Sequence, residues 1–342
     1  MNELKEDIRN LSPDRLQELF VEWGEPSYRA RQLFRWLNQK DLQEFSRMTD
    51  FPKRLISELE KRFFIGTLEC LDTKSGREGT MKFLWGLEDS HSIETVFIPE
   101  KKRRTLCLST QVGCRFRCPF CVSGSKGFIR NLSVSEIIGQ VLGVRKIISE
   151  DVTNIVLMGI GEALDNFDNV IKAIHVLNHP HGLRIGARKI TLSTCGLVPQ
   201  ILRLKQLGIQ VELAVSLHAT TNELRNMLVP VNRKYPLEML LPACREYSEA
   251  TGRVITFEFA LIDEVNDSLE EARQLGDLAR RLAAKVNLIS CSPNMSPHFK
   301  GTSEKKTKDF QKVVRSKAVS VTIRQTKGDD ILAACGQLAF DR

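Results

Sequence analysis

The chain has 342 residues, 42% of them hydrophobic and 27% charged, an ordinary globular composition with room for a large core and roughly two domains. No run approaches the ~20 apolar residues of a membrane span. The polar start Met-Asn-Glu-Leu-Lys-Glu-Asp is no signal peptide, so a cytoplasmic setting without membrane partners is expected. The nine cysteines then read as ligands, nucleophiles or core residues rather than a disulfide framework. The net charge of +8 is uneven: residues 101–130 carry eight basic side chains and no acid, and residues 300–327 nine basic and two acidic. Residues 1–75, with 13 basic and 14 acidic, are near balance. A polyanion such as RNA or DNA is the natural partner for such a field, with a merely solvated basic surface as the alternative.

In chain order, residues 3–64 read as helices. Ser12-Pro13-Asp14 places a hydroxyl N-cap before a proline at the first helical position, and Leu16, Leu19, Phe20 and Trp23 follow at helical spacing up to Gly24. Second and third helices are expected over Tyr28–Leu37 and Pro52–Phe63. Residues 66–98 look β-rich, with strand-like stretches at Leu68–Asp72, Gly79–Leu87 and Ser92–Ile98 separated by Ser75-Gly76 and Glu88-Asp89 turns.

From residue 105 strands and helices alternate. Strands are expected at Thr105–Thr110, Asn154–Met158, Lys189–Ser193, Val211–Leu217, Val254–Leu261, Lys285–Ser290 and Val319–Arg324. Helices are expected at Ser133–Ser149, Phe167–Asn178, Val198–Leu207, Leu237–Ala250, Ser268–Ala284 and Lys305–Ser316, the first opened by the capping box Ser133-Val-Ser-Glu136. Such alternation implies a parallel sheet covered by helices, and both an incomplete β/α barrel and a doubly wound sheet satisfy it. The barrel is favoured because the small polar motifs follow strands directly. They are the cysteine loop, Gly159-Ile-Gly161-Glu162, Ser193-Thr-Cys-Gly196, Ser216-Leu-His218, Asp263 and Ser290-Cys-Ser292-Pro293. In α/β barrels those strand ends form the active-site face.

The chemical signal is Cys114-Arg-Phe-Arg-Cys118-Pro-Phe-Cys121, spaced C-x3-C-x2-C. Three thiols in eight residues suit a soft metal centre, and a closed site needs a fourth ligand that no nearby histidine supplies. That pattern points to a catalytic cluster with one open iron; zinc with a distant fourth ligand is the alternative. Gly159-x-Gly161 lacks the third glycine of a dinucleotide fingerprint.

This triplet after a first strand, with Gly-x-Gly-Glu after the next, resembles the radical S-adenosylmethionine (SAM) enzymes. Gly127–Val141, Ser216-Leu-His218, Val265-Asn-Asp-Ser268 and Gly328-Asp-Asp-Ile-Leu-Ala-Ala-Cys-Gly-Gln-Leu338 further resemble the RlmN/Cfr family of ribosomal RNA adenine methyltransferases. The likeness covers nearly the whole chain and is weakest in the first 70 residues. It implies an α/β fold: a partial (β/α)6 radical SAM barrel over 101–327, an N-terminal helical, RNA-binding accessory domain over 1–65, a β-rich linker over 66–100, and a C-terminal loop over 328–342 carrying a methyl-carrier cysteine. It implies a [4Fe-4S] cluster on Cys114, Cys118 and Cys121, and SAM, two per turnover, bound by Gly161, Glu162, Ser193, Ser216, Leu217, His218 and Ser292. Cys335 would carry the methyl group as S-methylcysteine and, after a SAM-derived radical removes a hydrogen, link it to the adenine. Cys107 would release the product by forming a transient disulfide with Cys335, and Glu94 would accept the proton. On the residues alone, Cys107 and Cys335 read as core or packing cysteines and Glu94 as an exposed sheet residue.

The implied partners are 23S rRNA, a tRNA adenosine beside the anticodon and a cellular one-electron donor. C2 is the favoured carbon. The alternatives are C8 methylation by the sister activity and a non-enzymatic, zinc-containing RNA-binding protein. Two positions depart from the family pattern: Ala163, where the C2 branch commonly has proline and the C8 branch alanine, and Ser292, where asparagine is usual.

Overall fold

The computed structural model describes residues 5–290, 299–324 and 327–339. A short strand β1 (Glu6–Asp7) leads into helices α1 (Pro13–Glu22), α2 (Tyr28–Asn38) and α3 (Lys53–Arg62), and β2 (Phe63–Phe64) returns parallel to β1. Ser12 caps α1 by accepting from the Arg15 amide, with Pro13 behind it, as the residue types dictate. Leu16, Phe20, Leu33 and Leu59 form a core under these helices.

The chain then makes three antiparallel strands, β3 (Glu69–Ser75), β4 (Met81–Gly86) and β5 (Ser92–Glu100), and β5 pairs with β6 (Arg103–Cys107). Past β6 a small hairpin forms from β7 (Gln111–Gly113) and β8 (Phe128–Asn131), with the one-turn helix α4 (Val122–Ser125) between them. The β/α alternation follows: α5 (Val134–Ile148), β9 (Asn154–Leu157), α6 (Phe167–Asn178), β10 (Ile190–Thr194), α7 (Val198–Gln206), β11 (Glu212–Ser216), α8 (Asn222–Leu228) and α9 (Leu237–Thr251). It ends with β12 (Thr256–Leu261), α10 (Leu269–Arg281), β13 (Lys285–Ser290), α11 (Glu304–Arg315) and β14 (Val321–Arg324).

The large sheet runs β14-β13-β12-β11-β10-β9-β6-β5-β4-β3, parallel from β14 to β6 and antiparallel beyond. Six β/α units and a closing strand make up the parallel part. β6 and β14 end that part and do not pair with each other, yet Cys107 of one and Arg324 of the other line a single interior cavity of about 610 Å³. A flat doubly wound sheet would hold those strands far apart. The shared lumen makes this an incomplete barrel. The capping box forms as expected: Ser133 Oγ accepts from the Glu136 amide at 3.2 Å and Glu136 Oε2 from the Ser133 amide at 2.8 Å.

Three differences from the sequence reading bear on the site. The first barrel strand stops at Cys107 rather than Thr110, because the chain turns there toward the cysteine loop. The hairpin β7–β8 closes the base of that loop, where a bare loop was expected. Helix α8 was not expected, and it delivers Arg225 beneath the active-site rim.

Candidate active site

The cysteine loop is held at its base by the β7–β8 ladder and by the Cys114 amide donating to the Gly127 carbonyl at 2.9 Å. Within it the Cys121 amide donates to the Cys118 carbonyl at 3.0 Å, closing a turn that sets the spacing of the last two thiols. Cys114, Cys118 and Cys121 all line one cavity of about 160 Å³ at the C-terminal ends of the barrel strands. Burial pushes the Cys114 thiol up to about 12, and burial followed by mutual repulsion raises Cys118 as well. Thiolates crowded this way ionise only against a cationic centre, and an all-thiolate donor set fits an iron–sulfur cluster. The sulfurs line a wall rather than meet at a point: among the described residues no three Cys, His, Asp or Glu side chains are placed to hold a single metal ion.

Gly161, Glu162, Ser193, Ser216 and His218 line the same cavity, so three consecutive strand ends converge on the thiols. Gly161 has φ +101, and a Cβ there would lie 2.5 Å from Gln111 Cβ, so only glycine brings the chain this close. Glu162 is buried, with one oxygen accepting from the Leu164 amide at 3.0 Å and the other from the Cys195 amide at 2.7 Å. Burial pushes its carboxyl up. Its remaining lone pairs suit an ammonium, which would restore the ionised form. His218 adopts φ 58; its Nδ1 accepts from the Ala260 amide at 3.0 Å, and burial lowers the ring to about 3, so the imidazole is neutral. Leu217 is turned into the core and does not line the cavity; its amide donates to the Glu258 carbonyl. Ser292 lies outside the described residues.

Cys335 lines both this cavity and the barrel lumen, and Cys107 lines the lumen. The two sulfurs, 228 positions apart, lie near enough that the charge on Cys335 raises Cys107. Burial is the larger cause and pushes Cys107 up to about 12. Among the described residues every cysteine, these two included, is a free thiol, so the disulfide named above is not formed in this structure. Glu94 lines neither cavity: it is buried on β5, 2.7 Å from Lys82 Nζ, and accepts from the Ala339 amide at 2.9 Å.

Several residues carry the site without having been singled out from sequence. Arg225 is wholly buried and ties three carbonyls and Asn232 together under the rim. Asn266, also wholly buried, donates to the His218 and Ala260 carbonyls at 2.8 and 2.7 Å. Its signal was present in the Val265-Asn-Asp-Ser268 motif. Arg324 lines both cavities beside Cys107, Cys335 and Glu258. The basic clusters are also less free than their composition suggests, since Arg115 pairs with Asp165, Arg130 with Glu136, and Lys306 with Asp263 and Asp267.

Comparison with known proteins agrees with this geometry. Residues 108–276 match the radical SAM superfamily, and residues 6–65 match the ribosomal RNA large subunit methyltransferase N-terminal domain. A probable dual-specificity RNA methyltransferase RlmN from Geobacillus kaustophilus is 44% identical over 334 residues, covering 97% of this chain and 92% of that protein. The dual-specificity RNA methyltransferase RlmN of Pelobacter propionicus is 42% identical, covering 98% of this chain and 96% of its own length. The crystal structure of a radical SAM methyltransferase from Sphaerobacter thermophilus superposes with a TM-score of 0.91 at 40% identity, covering 97% of this chain and 99% of that one. No helix among the described residues is long and apolar enough to cross a membrane. This chain belongs to the RlmN family of radical SAM RNA methyltransferases, an enzyme family, which sets aside the zinc-only binding protein.

Proposed function

We propose that this chain methylates C2 of an adenosine in 23S rRNA and the tRNA adenosine beside the anticodon, through an S-methylcysteine carrier and a transient protein–RNA crosslink. The observation that carries the reading is the placement of Cys335 on the wall shared by the thiol-lined cavity and the lumen holding Cys107. Cys114, Cys118 and Cys121 would hold a [4Fe-4S] cluster, with SAM on Gly161, Glu162, Ser193, Ser216, His218 and Ser292, and Leu217, turned into the core, would only hold Ser216 and His218 in place; together the cluster and SAM would supply, when bound, the methyl group and a hydrogen-abstracting radical, two SAM per turnover. In this reading Cys335 Sγ loses its proton and takes the methyl group. Once that carbon has lost one hydrogen atom it bonds to the adenine carbon; the adduct would then give up its proton to Glu94 and its unpaired electron to the redox centre that Cys114, Cys118 and Cys121 would hold. Cys107 then bonds to Cys335 Sγ as the sulfur–carbon bond breaks; the carbon keeps the electron pair and takes a proton, and the disulfide awaits reduction. Residues 1–65 serve as the RNA-binding accessory unit, 66–100 as the linker, 101–327 as the barrel and 328–342 as the carrier loop, in the cytoplasm with a one-electron donor.

The test is anaerobic reconstitution with SAM and ribosomal RNA or tRNA, followed by nucleoside mass spectrometry. Cys335→Ala should abolish methylation, and Cys107→Ala should accumulate a protein–RNA adduct. Wild-type turnover by either variant would sink the mechanism. Ala163, buried beside Glu162, is a small count toward the C8 branch against the Gly127–Val141 resemblance to the C2 branch, and the same mass analysis of the modified adenosine separates the two carbons.

A further inference from the structure

Between Gly328 and Ala339 the carrier loop forms only the 3-10 turn Asp329–Ile331 and has no ladder of its own. Its position is set from outside. On the cluster side the Val122 amide donates to the Gly336 carbonyl, and the Ser123 hydroxyl to the Leu338 carbonyl, each at 2.8 Å. On the opposite side Lys82 Nζ donates to the Leu332 carbonyl at 3.1 Å and pairs with Glu94 Oε1 at 2.7 Å. Glu94 Oε2 accepts from the Ala339 amide at 2.9 Å. The Lys82–Glu94 pair thus grips the loop three residues before Cys335 and four residues after it.

The sheet register explains why this pair sits there. Lys82 is opposite Val96 and Val96 is opposite Cys107, so the three share one row and one face across β4, β5 and β6. Glu94 is the diagonal neighbour of Lys82 on that face. The clamp and Cys107 therefore belong to one rigid surface, and the loop with Cys335 lies over it. Both side chains are close to fully buried, at 9% and 11% exposure. A buried ion pair is a weak source of net stability, because desolvation offsets the attraction. Two apolar residues would hold β4 to β5 as well. They could not also donate to Leu332 and accept from Ala339.

We propose that the Lys82–Glu94 pair is a clamp that sets the reach of Cys335, with Lys82 a positioning residue for the carrier thiol. This rests on the reading of Cys335 as methyl carrier. Lys82 touches no reacting atom in that reading and acts only through the loop it holds.

The experiment uses full-length, anaerobically purified holoenzyme as wild type, Lys82→Met, Lys82→Arg and the double variant Lys82→Met/Glu94→Gln. One readout is the rate at which iodoacetamide alkylates Cys335, resolved by peptide mass. The other is S-methylation of Cys335 after a single exposure to SAM, a step that precedes any proton transfer to Glu94. Lys82→Met should speed alkylation and slow S-methylation, on the order of 10²-fold as expected when a reacting group is misplaced by ~1 Å. The KM for RNA and the iron and sulfide content should not change, and Lys82→Arg should recover most of the rate. The double variant leaves no buried charge unpaired and should melt near wild type while showing the same loss, which separates placement from folding. If the single variant does not fold, the double variant carries the test. Wild-type alkylation and S-methylation in either would overturn the proposal. If wild-type Cys335 never acquires a methyl group, the carrier reading fails instead, and the alkylation arm still decides the clamp.

Discussion

Replacing Arg225 with methionine should loosen the rim of the active site and cost measurable stability. The guanidinium donates to the carbonyls of Cys195 at 2.7 Å, Leu217 at 3.1 Å and Ser216 at 3.2 Å, and to Asn232 Oδ1 at 2.8 Å. It therefore bridges the ends of β10 and β11, from which Ser193, Ser216 and His218 reach the cavity. Methionine keeps much of the stem and removes every donor. A stranded buried acceptor costs about 1–3 kcal/mol. Against that stands relief from burying a cation; burial is the leading cause that lowers the Arg225 pKa. Three carbonyls with that partial offset leave a net loss of about 3–4 kcal/mol. At roughly 2 °C per kcal/mol for a chain of this size, Tm should fall by about 6–8 °C. The assay is anaerobic thermal unfolding followed by circular dichroism, with and without SAM. The stabilisation added by SAM should also shrink, because the strand ends that meet it are no longer tied. A fall below about 2 °C with an undiminished SAM increment would refute the reasoning, since it would mean water or repacking satisfies those carbonyls at little cost.

Two further outcomes follow from the titrating groups. Burial, then the charge on Cys335, pushes Cys107 up to about 12, with Arg324 pulling the other way. Its thiolate fraction therefore rises tenfold per pH unit across the working range, and the single-turnover rate of adduct release should climb with a log slope near +1 from about pH 7 to 10; a plateau near the pKa of a free thiol would contradict this. His218 sets an acid limit on stability. Burial first, and Arg225 second, lower its ring from 6.5 to about 3. A base depressed in the folded state is protonated first in the unfolded chain, so the stabilisation is complete above 6.5 and is lost as the pH falls toward 3, about 5 kcal/mol in all. Urea midpoints at pH 7 and pH 4 should therefore diverge more for wild type than for His218→Gln, and parallel losses would exclude His218 as the cause.

What was legible in the sequence is what short-range chemistry dictates. Ser12 and Ser133 announce their helices because a hydroxyl three residues before a free amide has one good use. Phe167–Asn178 falls where its apolar spacing places it. The strand-end motifs converge because a parallel barrel leaves them no other rim. The unread parts depend on partners distant in sequence. Strand alternation sends Lys82 and Glu94 to a solvent face, and a charged residue there reads as ordinary. That face is covered by a loop from residues 328–339, nearly 250 positions away, which no local pattern contains. Arg324 belonged to a basic segment that suggested an RNA surface, but the barrel turns it inward against Glu258 and the two thiols. Helix α8 is only seven residues long, with few apolar positions to announce it.

The architecture divides the proposed chemistry between two bodies joined along β6. The barrel strand ends and the cysteine loop surround one cavity; the antiparallel extension β3–β5 contributes no residue to that cavity. The extension instead holds the loop of residues 328–339, through Lys82 and Glu94, against the face that bears Cys107. This arrangement puts Glu94 under two demands. Its oxygens are engaged by Lys82 and by the Ala339 amide, so a carboxylate that is to take a proton from the crosslinked base must first give up one of these partners. The partner on the loop is the weaker tie, because the amide is neutral and Lys82 is charged. Proton acceptance by Glu94 and release of the segment beyond Cys335 would then be one event. On the proposed mechanism, that ordering would free Cys335 to turn toward Cys107 only after the new carbon–carbon bond has formed, and would keep the two thiols from closing on each other before the methyl group has been delivered.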